Sequence, residues 1–345
     1  MAAAPDVDAL PAWPDLLPWQ TEAARAMLSA RAMWPHALLI DGPRGLGKRT
    51  LALNLARGLL CEAPDADGLA CGRCASCHYV AAGQHPDLRM IDPFVIDEDG
   101  EVKVQDPILI DRIRALIDWV QLTSHRGRAK VAVIVPAESM NPAAANALLK
   151  TLEEPPPSTY LILAAHQPGR VPATLRSRCR RMAAPWPSAA SAEAWLVQQG
   201  AAKPGAVLAQ AGGAPLTALA IAAPEWQAER EVWMQAFARP EALSPVALAS
   251  RIEAAPREQR RERLAQAIDW SLAWTADLAR AASGGAPARN VDYAAALGTL
   301  AALVAPVPLF RYHRTLLRQR ALVAHPLQPR LVAEAMLIGY RELFR

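Results

Sequence analysis

Apolar and polar positions come in blocks along the first half of the chain. Residues 36–40 (HALLI), 88–91 (LRMI), 131–135 (VAVIV) and 160–164 (YLILA) are short, largely apolar runs. The run 131–135, rich in Val and Ile, predicts a strand buried on both faces, 160–164 a second buried strand, and 36–40 and 88–91 two further strands. Stretches of helical spacing lie between them. Over 18–34, Trp19, Ala23, Ala26, Met27 and Ala30 share one face, and Pro35 closes the stretch. Residues 49–56 open a second helix. Over 107–122, Ile110, Ile113, Leu116, Ile117 and Val120 form an apolar stripe. Residues 144–154 have helical composition and are stopped by Pro155, Pro156 and Pro157, which cannot continue a helix. Residues 92–106 are acidic and irregular and predict a surface loop turning at Gly100. Strand and helix in alternation predict an α/β domain with a parallel sheet.

The second half reads as helices only. Pro185, Trp186 and Pro187 mark a first boundary. Residues 188–222 are Ala-rich, with Gly212 and Gly213 at a turn, and predict a small helical domain. Beyond Pro224, residues 225–237, 245–255, 258–282, 291–303, 309–324 and 328–344 all have helical spacing. The mixed charges of 257–263 predict a solvated face. The expected organisation is therefore 1–185, 186–223 and 224–345.

Three motifs bear chemistry. The first follows the first strand at once: Gly42-Pro43-Arg44-Gly45-Leu46-Gly47-Lys48, opening into a helix. Strand, glycine loop and helix is the context a phosphate-binding loop requires, with backbone N–H groups and Lys48 facing phosphate. The pattern is incomplete. The position after the lysine should offer a hydroxyl to Mg²⁺, but Arg49 stands there and Thr50 comes one residue late. A shift of one residue turns a helical side chain by about 100°.

The second motif is Cys61, Cys71, Cys74 and Cys77, spaced C-x9-C-x2-C-x2-C. Four thiolates close a tetrahedral zinc site and leave no open position, so the expected role is structural. A redox pair fits poorly, because three of the cysteines stand in series. His78 and His85 are spare ligand candidates.

The third motif is NALLKTLEEPP, followed about twenty residues on by Leu175-Arg176-Ser177-Arg178-Cys179. In this pairing the chain resembles the clamp-loader branch of the AAA+ ATPases, and most closely a non-hydrolysing subunit of the bacterial complex. The resemblance is specific through residue 182 and mostly topological beyond Pro224. It implies a P-loop domain with a zinc module, a helical lid and an all-helical collar domain. It implies that Arg178 reaches the γ-phosphate of ATP held by a neighbouring subunit. It also implies that Val135 and Pro136 occupy the positions where motor members place the Asp that supports Mg²⁺ and the Glu that orients water. Neither can bind a metal or accept a proton. Glu138 is the one nearby substitute base. No arginine stands in 213–216, where motors often carry a sensor residue. The implied partners are gamma/tau-type ATPase subunits and a delta-type subunit, with the sliding clamp and primer-template DNA met through the complex.

Composition narrows the alternatives. Of 345 residues, 52% are apolar, enough for sizeable cores, and the net charge of +4 is too mild for a chain that binds nucleic acid on its own. No run approaches a membrane span. Five cysteines do not make a disulfide scaffold. The first residues include Asp6 and Asp8 and no basic stretch, which does not fit a secretory signal. The expectation is a soluble cytoplasmic protein. Arg126, Arg128 and Lys130 form a basic turn before a strand, either solvated or a DNA contact. Glu153 and Glu154, at a helix end, suit an interface or structural role better than acid–base chemistry. Two other functions stay open: an active clamp-loader ATPase that uses Lys48 with unorthodox metal ligands, and a zinc-dependent nucleic-acid binding module.

Overall fold

The computed structural model describes residues 14–96, 102–104, 107–323, 325 and 328–345. By packing it divides into two units, Met1–Ser191 and Ala192–Arg345.

In chain order the first unit contains α1 (Thr21–Ser29), β1 (Ala37–Asp41), α2 (Lys48–Leu60), α3 (Ala75–Ala81), β2 (Leu88–Ile91), β3 (Phe94–Ile96), β4 (Val102–Val104), α4 (Ile110–Gln121), β5 (Lys130–Ile134), α5 (Pro142–Glu153), β6 (Thr159–Ala165), α6 (Ala173–Arg176) and β7 (Arg180–Ala183). Five strands form one parallel sheet in the order β2-β5-β6-β1-β7. The three central strands are almost wholly buried, whereas β2 and β7 lie at the edges and are partly exposed. This is why the central strands read as continuous apolar runs. Alternate residues Leu39, Ala132, Ile134, Leu161 and Leu163 meet α4 and α5 in one core cluster. Helix α2 packs on β5 and β6.

Local sequence sets the element ends. The Asn141 side chain accepts from the Ala144 N–H at 2.8 Å and Pro142 opens α5, so this helix starts on a cap and a pre-set φ. Gly47 caps α2 at φ 79°; a Cβ there would lie 2.3 Å from Leu17 Cδ1 and 2.6 Å from Gln20 Nε2.

Two expectations need correction. Residues 18–34 are not one helix: 3-10 turns at Pro18–Gln20 and Arg31–Met33 flank α1. The buried face is Gln20, Ala24 and Leu28, while Ala26 and Ala30 are exposed. Leu28 sets that face, because it sits where a Cβ on Gly58 would be 2.6 Å from Leu28 Cδ1. Residues 92–106 are also not loop throughout. β3 pairs antiparallel with β4, Phe94 opposite Val104 and Ile96 opposite Val102. The expected turn at Gly100 lies outside the described residues.

The second unit holds α7 from Ala192 onward (Ala189–Gln198), α8 (Pro204–Gln210), α9 (Pro215–Ile221), α10 (Pro224–Ala238), α11 (Pro245–Glu253), α12 (Arg260–Ala282), α13 (Ala294–Ala301), α14 (Pro306–Leu322) and α15 (Pro329–Glu342). Six of these helices begin at a proline, whose missing N–H is one the first turn leaves unpaired anyway. Ala192, Leu196, Val207, Leu208 and Ala218 form a small cluster of their own. A larger core surrounds α12, built on Trp233, Phe237, Trp270, Trp274 and Tyr340. Within it Trp274 Nε1 donates to Tyr340 Oη at 2.9 Å and Tyr340 donates to the Phe237 carbonyl at 2.7 Å, whereas Trp270 Nε1 is buried without a partner among the described residues. Among the described residues no single helix is long and apolar enough to cross a membrane.

Candidate functional site

The glycine loop leaves β1 and enters α2, as the pattern requires. Gly42, Gly45 and Gly47 all have positive φ. Lys48 is buried, and its Nζ donates to the Pro43 carbonyl at 2.6 Å. Burial pulls its pKa down to about 8; the Glu138 carboxylate opposes the shift and Arg44 adds to it. The N-terminal segment braces the loop from behind. Gln20 Nε2 donates to the carbonyls of Leu46 (3.0 Å) and Gly47 (2.7 Å), and Trp19 Nε1 donates to Leu46 (3.1 Å). Sequence reasoning missed Gln20, whose one signal was a glutamine within an apolar helical stripe.

The positions expected to hold a metal are differently used. Arg49 is exposed and lies against Asp92, its Nη2 3.3 Å from Oδ2. Val135 is buried and extends the ladder, its N–H donating to Ile91 at 2.9 Å. Glu138 accepts from the backbone N–H groups of His166 (2.9 Å) and Gln167 (3.0 Å), which ties it to the end of β6. His166 follows β6, and its Nδ1 is buried without a partner among the described residues. Burial, then Lys48, hold the His166 imidazole down at about 4, against the pull of Glu138, so it is neutral at pH 7.

Four arginines follow α5 and β6, and they differ in environment. Arg176 donates to the Pro168 carbonyl at 3.1 Å. Arg181 is held by Asp41, Nε to Oδ2 at 2.8 Å. Arg180 is exposed. Arg178 lies half-buried against the C-terminal end of α5, its Nε donating to Glu153 Oε1 at 2.7 Å and its Nη1 to the Thr174 carbonyl at 2.8 Å. Nothing local in the sequence signals this contact between Arg178 and Glu153 across 25 residues. Cys179, between Arg178 and Arg180, is buried in the core, and burial pushes its thiol up to about 12.

The other four cysteines converge. Cys61 ends α2, Cys74 caps α3, Cys77 lies within α3 and Cys71 on the loop between. Their sulfurs all lie within 4.8 Å of one another, with Cys61 to Cys74 at 3.9 Å and Cys61 to Cys77 at 3.7 Å. Thiolates bound tetrahedrally at about 2.3 Å from one zinc ion sit about 3.8 Å apart, so the set fits that ion. N–H groups point at the sulfurs: Cys71 N–H to Cys61 Sγ at 3.3 Å, and Cys77 N–H to Cys74 Sγ at 3.4 Å. Burial alone would raise the Cys74 thiol, but backbone N–H groups of Glu62 and Cys77 outweigh it and bring the pKa to about 6.

His78 is exposed, and His85 is buried and not part of the sulfur cluster. His85 Nδ1 accepts from the Asp87 N–H at 3.0 Å, so Nε2 carries the proton and donates to Ser76 Oγ at 2.7 Å. Ser76 in turn donates to the Leu60 carbonyl at 2.8 Å. The trio looks like a nucleophile relay, but its buried hydroxyl accepts a hydrogen bond from the histidine instead of donating one to it, so it is a structural strut. The basic turn is likewise spoken for. Arg126 pairs with Glu62, Arg128 donates to the Cys61 carbonyl, and Lys130 is buried with its Nζ 4.5 Å from the centre of the Trp119 ring.

Sequence comparison relates the chain to known proteins. The family described as "DNA polymerase III, delta subunit" matches residues 22–185. The chain is 45% identical to DNA polymerase III subunit delta' of Pseudomonas aeruginosa over 208 residues, 59% of this chain and 60% of that protein's length. It is 32% identical to the delta' subunit of Haemophilus influenzae over 246 residues, 70% of each chain. It is also 40% identical to DNA polymerase III subunit tau of Escherichia coli over 144 residues, 42% of this chain and 20% of that one.

Proposed function

The chain belongs to the delta' subunit family of DNA polymerase III, and from that premise we propose that it hydrolyses no ATP itself and lends Arg178 to ATP held by a neighbouring clamp-loader subunit. The observation behind this reading is an asymmetry between two ends of one domain. Around its own loop, Arg49 turns to Asp92, Val135 is packed in the sheet, and Glu138 is spent on backbone N–H groups. Arg49 and Val135 therefore bring no hydroxyl or carboxylate to the positions the pattern assigns to the metal. At the other end, beyond α5, a partly exposed guanidinium is already oriented.

Phosphoryl transfer spreads negative charge over oxygens in the transition state, and a guanidinium fork pairs with two of them. An arginine supplied in trans is worth about 10³–10⁵ in rate at the site it serves. It also makes hydrolysis conditional on assembly. The partners in this reading are gamma/tau-type ATPase subunits and a delta subunit, with the sliding clamp and primer-template DNA engaged through the complex. Cys61, Cys71, Cys74 and Cys77 hold a structural Zn²⁺ that fixes the end of α2. Residues 186–223 act as the lid and 224–345 as the collar domain.

The test is assembly with those partners and measurement of ATP turnover. The isolated chain should show none. Arg178→Ala should leave assembly intact and lower the turnover of the complex; an unchanged rate would remove the finger assignment.

A further inference from the structure

A guanidinium has five N–H donors in a planar fork. In Arg178 three are engaged by its own chain: Nε and Nη2 both donate to Glu153 Oε1, and Nη1 donates to the Thr174 carbonyl. One donor remains on each terminal nitrogen, enough for two phosphoryl oxygens. Glu153 closes α5, where the helix dipole disfavours a carboxylate, and the guanidinium offsets that cost. Pro155, Pro156 and Pro157 end the helix and so fix where the carboxylate stands.

We propose that Glu153 is a positioning residue for Arg178: its carboxylate sets the plane of the guanidinium before a neighbour's nucleotide arrives. The inference rests on reading Arg178 as the finger. A free arginine side chain samples many rotamers and must be ordered at contact, whereas one already held loses less freedom. Preorganised donors are what make charge stabilisation effective in a transition state. The two side chains are 33% and 48% exposed, so the ion pair is weak, as a mount should be: it orients the arginine without locking it away.

The experiment uses the assembled clamp-loader complex and reads the part of its ATP turnover that Arg178→Ala abolishes. Glu153→Ala should reduce that part about three- to tenfold, with KM for ATP within about twofold of the unaltered complex. Glu153→Gln keeps an acceptor oxygen in the same place and should retain most of it. Adding Glu153→Ala to Arg178→Ala should cause no further loss. If turnover in Glu153→Ala is unchanged or faster, the carboxylate is idle or a restraint, and the inference falls. A multiplied loss in the double variant would mean that Glu153 acts through folding or assembly, and would also overturn it. If Arg178→Ala itself has no effect, the finger reading fails and takes this inference with it. A loss in Arg178→Ala with none in Glu153→Ala sinks the inference alone.

Discussion

Removing metal from the four-cysteine module should loosen the first unit by a predictable amount. Cys61 and Cys77 bracket a loop of about 15 residues, and a cross-link closing a loop of that length restricts the unfolded chain by about 3 kcal/mol. Other ties remain when the metal is removed: Glu62 pairs with Arg126, and Ser76 donates to the Leu60 carbonyl. Asp65 accepts from the N–H groups of Asp67 and Leu69, and Arg25 pairs with Asp67 at a site where both side chains are more than half exposed. For a unit of this size, about 3 kcal/mol corresponds to a fall of roughly 6–12 °C in Tm. The assay is calorimetry of the full chain, zinc-loaded and after chelation, with metal content measured per chain. Cys74→Ser should reproduce the chelated Tm and no longer respond to chelator. A chain that retains no metal, or whose Tm ignores its removal, would refute the argument.

Three further outcomes follow from the geometry. Lys48→Ala should barely change ATP turnover or clamp loading by the complex, because the loop lacks its metal ligands; a large loss would show that nucleotide bound here matters. Tyr340→Phe leaves Trp274 Nε1 and the Phe237 carbonyl without their partner and should cost about 1–3 kcal/mol, read as a lower urea midpoint; an unchanged midpoint would contradict the pairing. His166 has a folded pKa of about 4, depressed below its unfolded value near 6.5. The fold favours the neutral ring, so this contribution is full above about pH 6.5 and is lost as pH falls toward 4. The ring's NMR titration should show that low midpoint, and a midpoint near 6.5 would show that the side chain is not buried.

The sheet was legible because strands buried on both faces leave continuous apolar runs, and α5 because its helical composition runs into Pro155, Pro156 and Pro157; its start at Pro142, ahead of the expected Ala144, is set by the Asn141 cap. The cysteine cluster was legible because two-residue gaps fold back on themselves. The face of α1 was not: alanines at 23, 24, 26 and 30 fit several stripes, and the choice was made by Leu28 meeting Gly58 from another helix. The β3–β4 hairpin was hidden by acidic neighbours, although Val95, Ile96, Val102 and Val104 are β-branched residues suited to strands. Gln20 beneath the loop and Glu153 beside Arg178 act across the fold, at separations no periodicity reports.

The most direct test compares two ATPase measurements under one condition: the lone chain with Mg·ATP, and the assembled complex bearing Arg178→Ala. The account predicts no turnover in the first and a depressed rate, with assembly intact, in the second. Steady hydrolysis by the lone chain together with an unimpaired Arg178→Ala complex would contradict it.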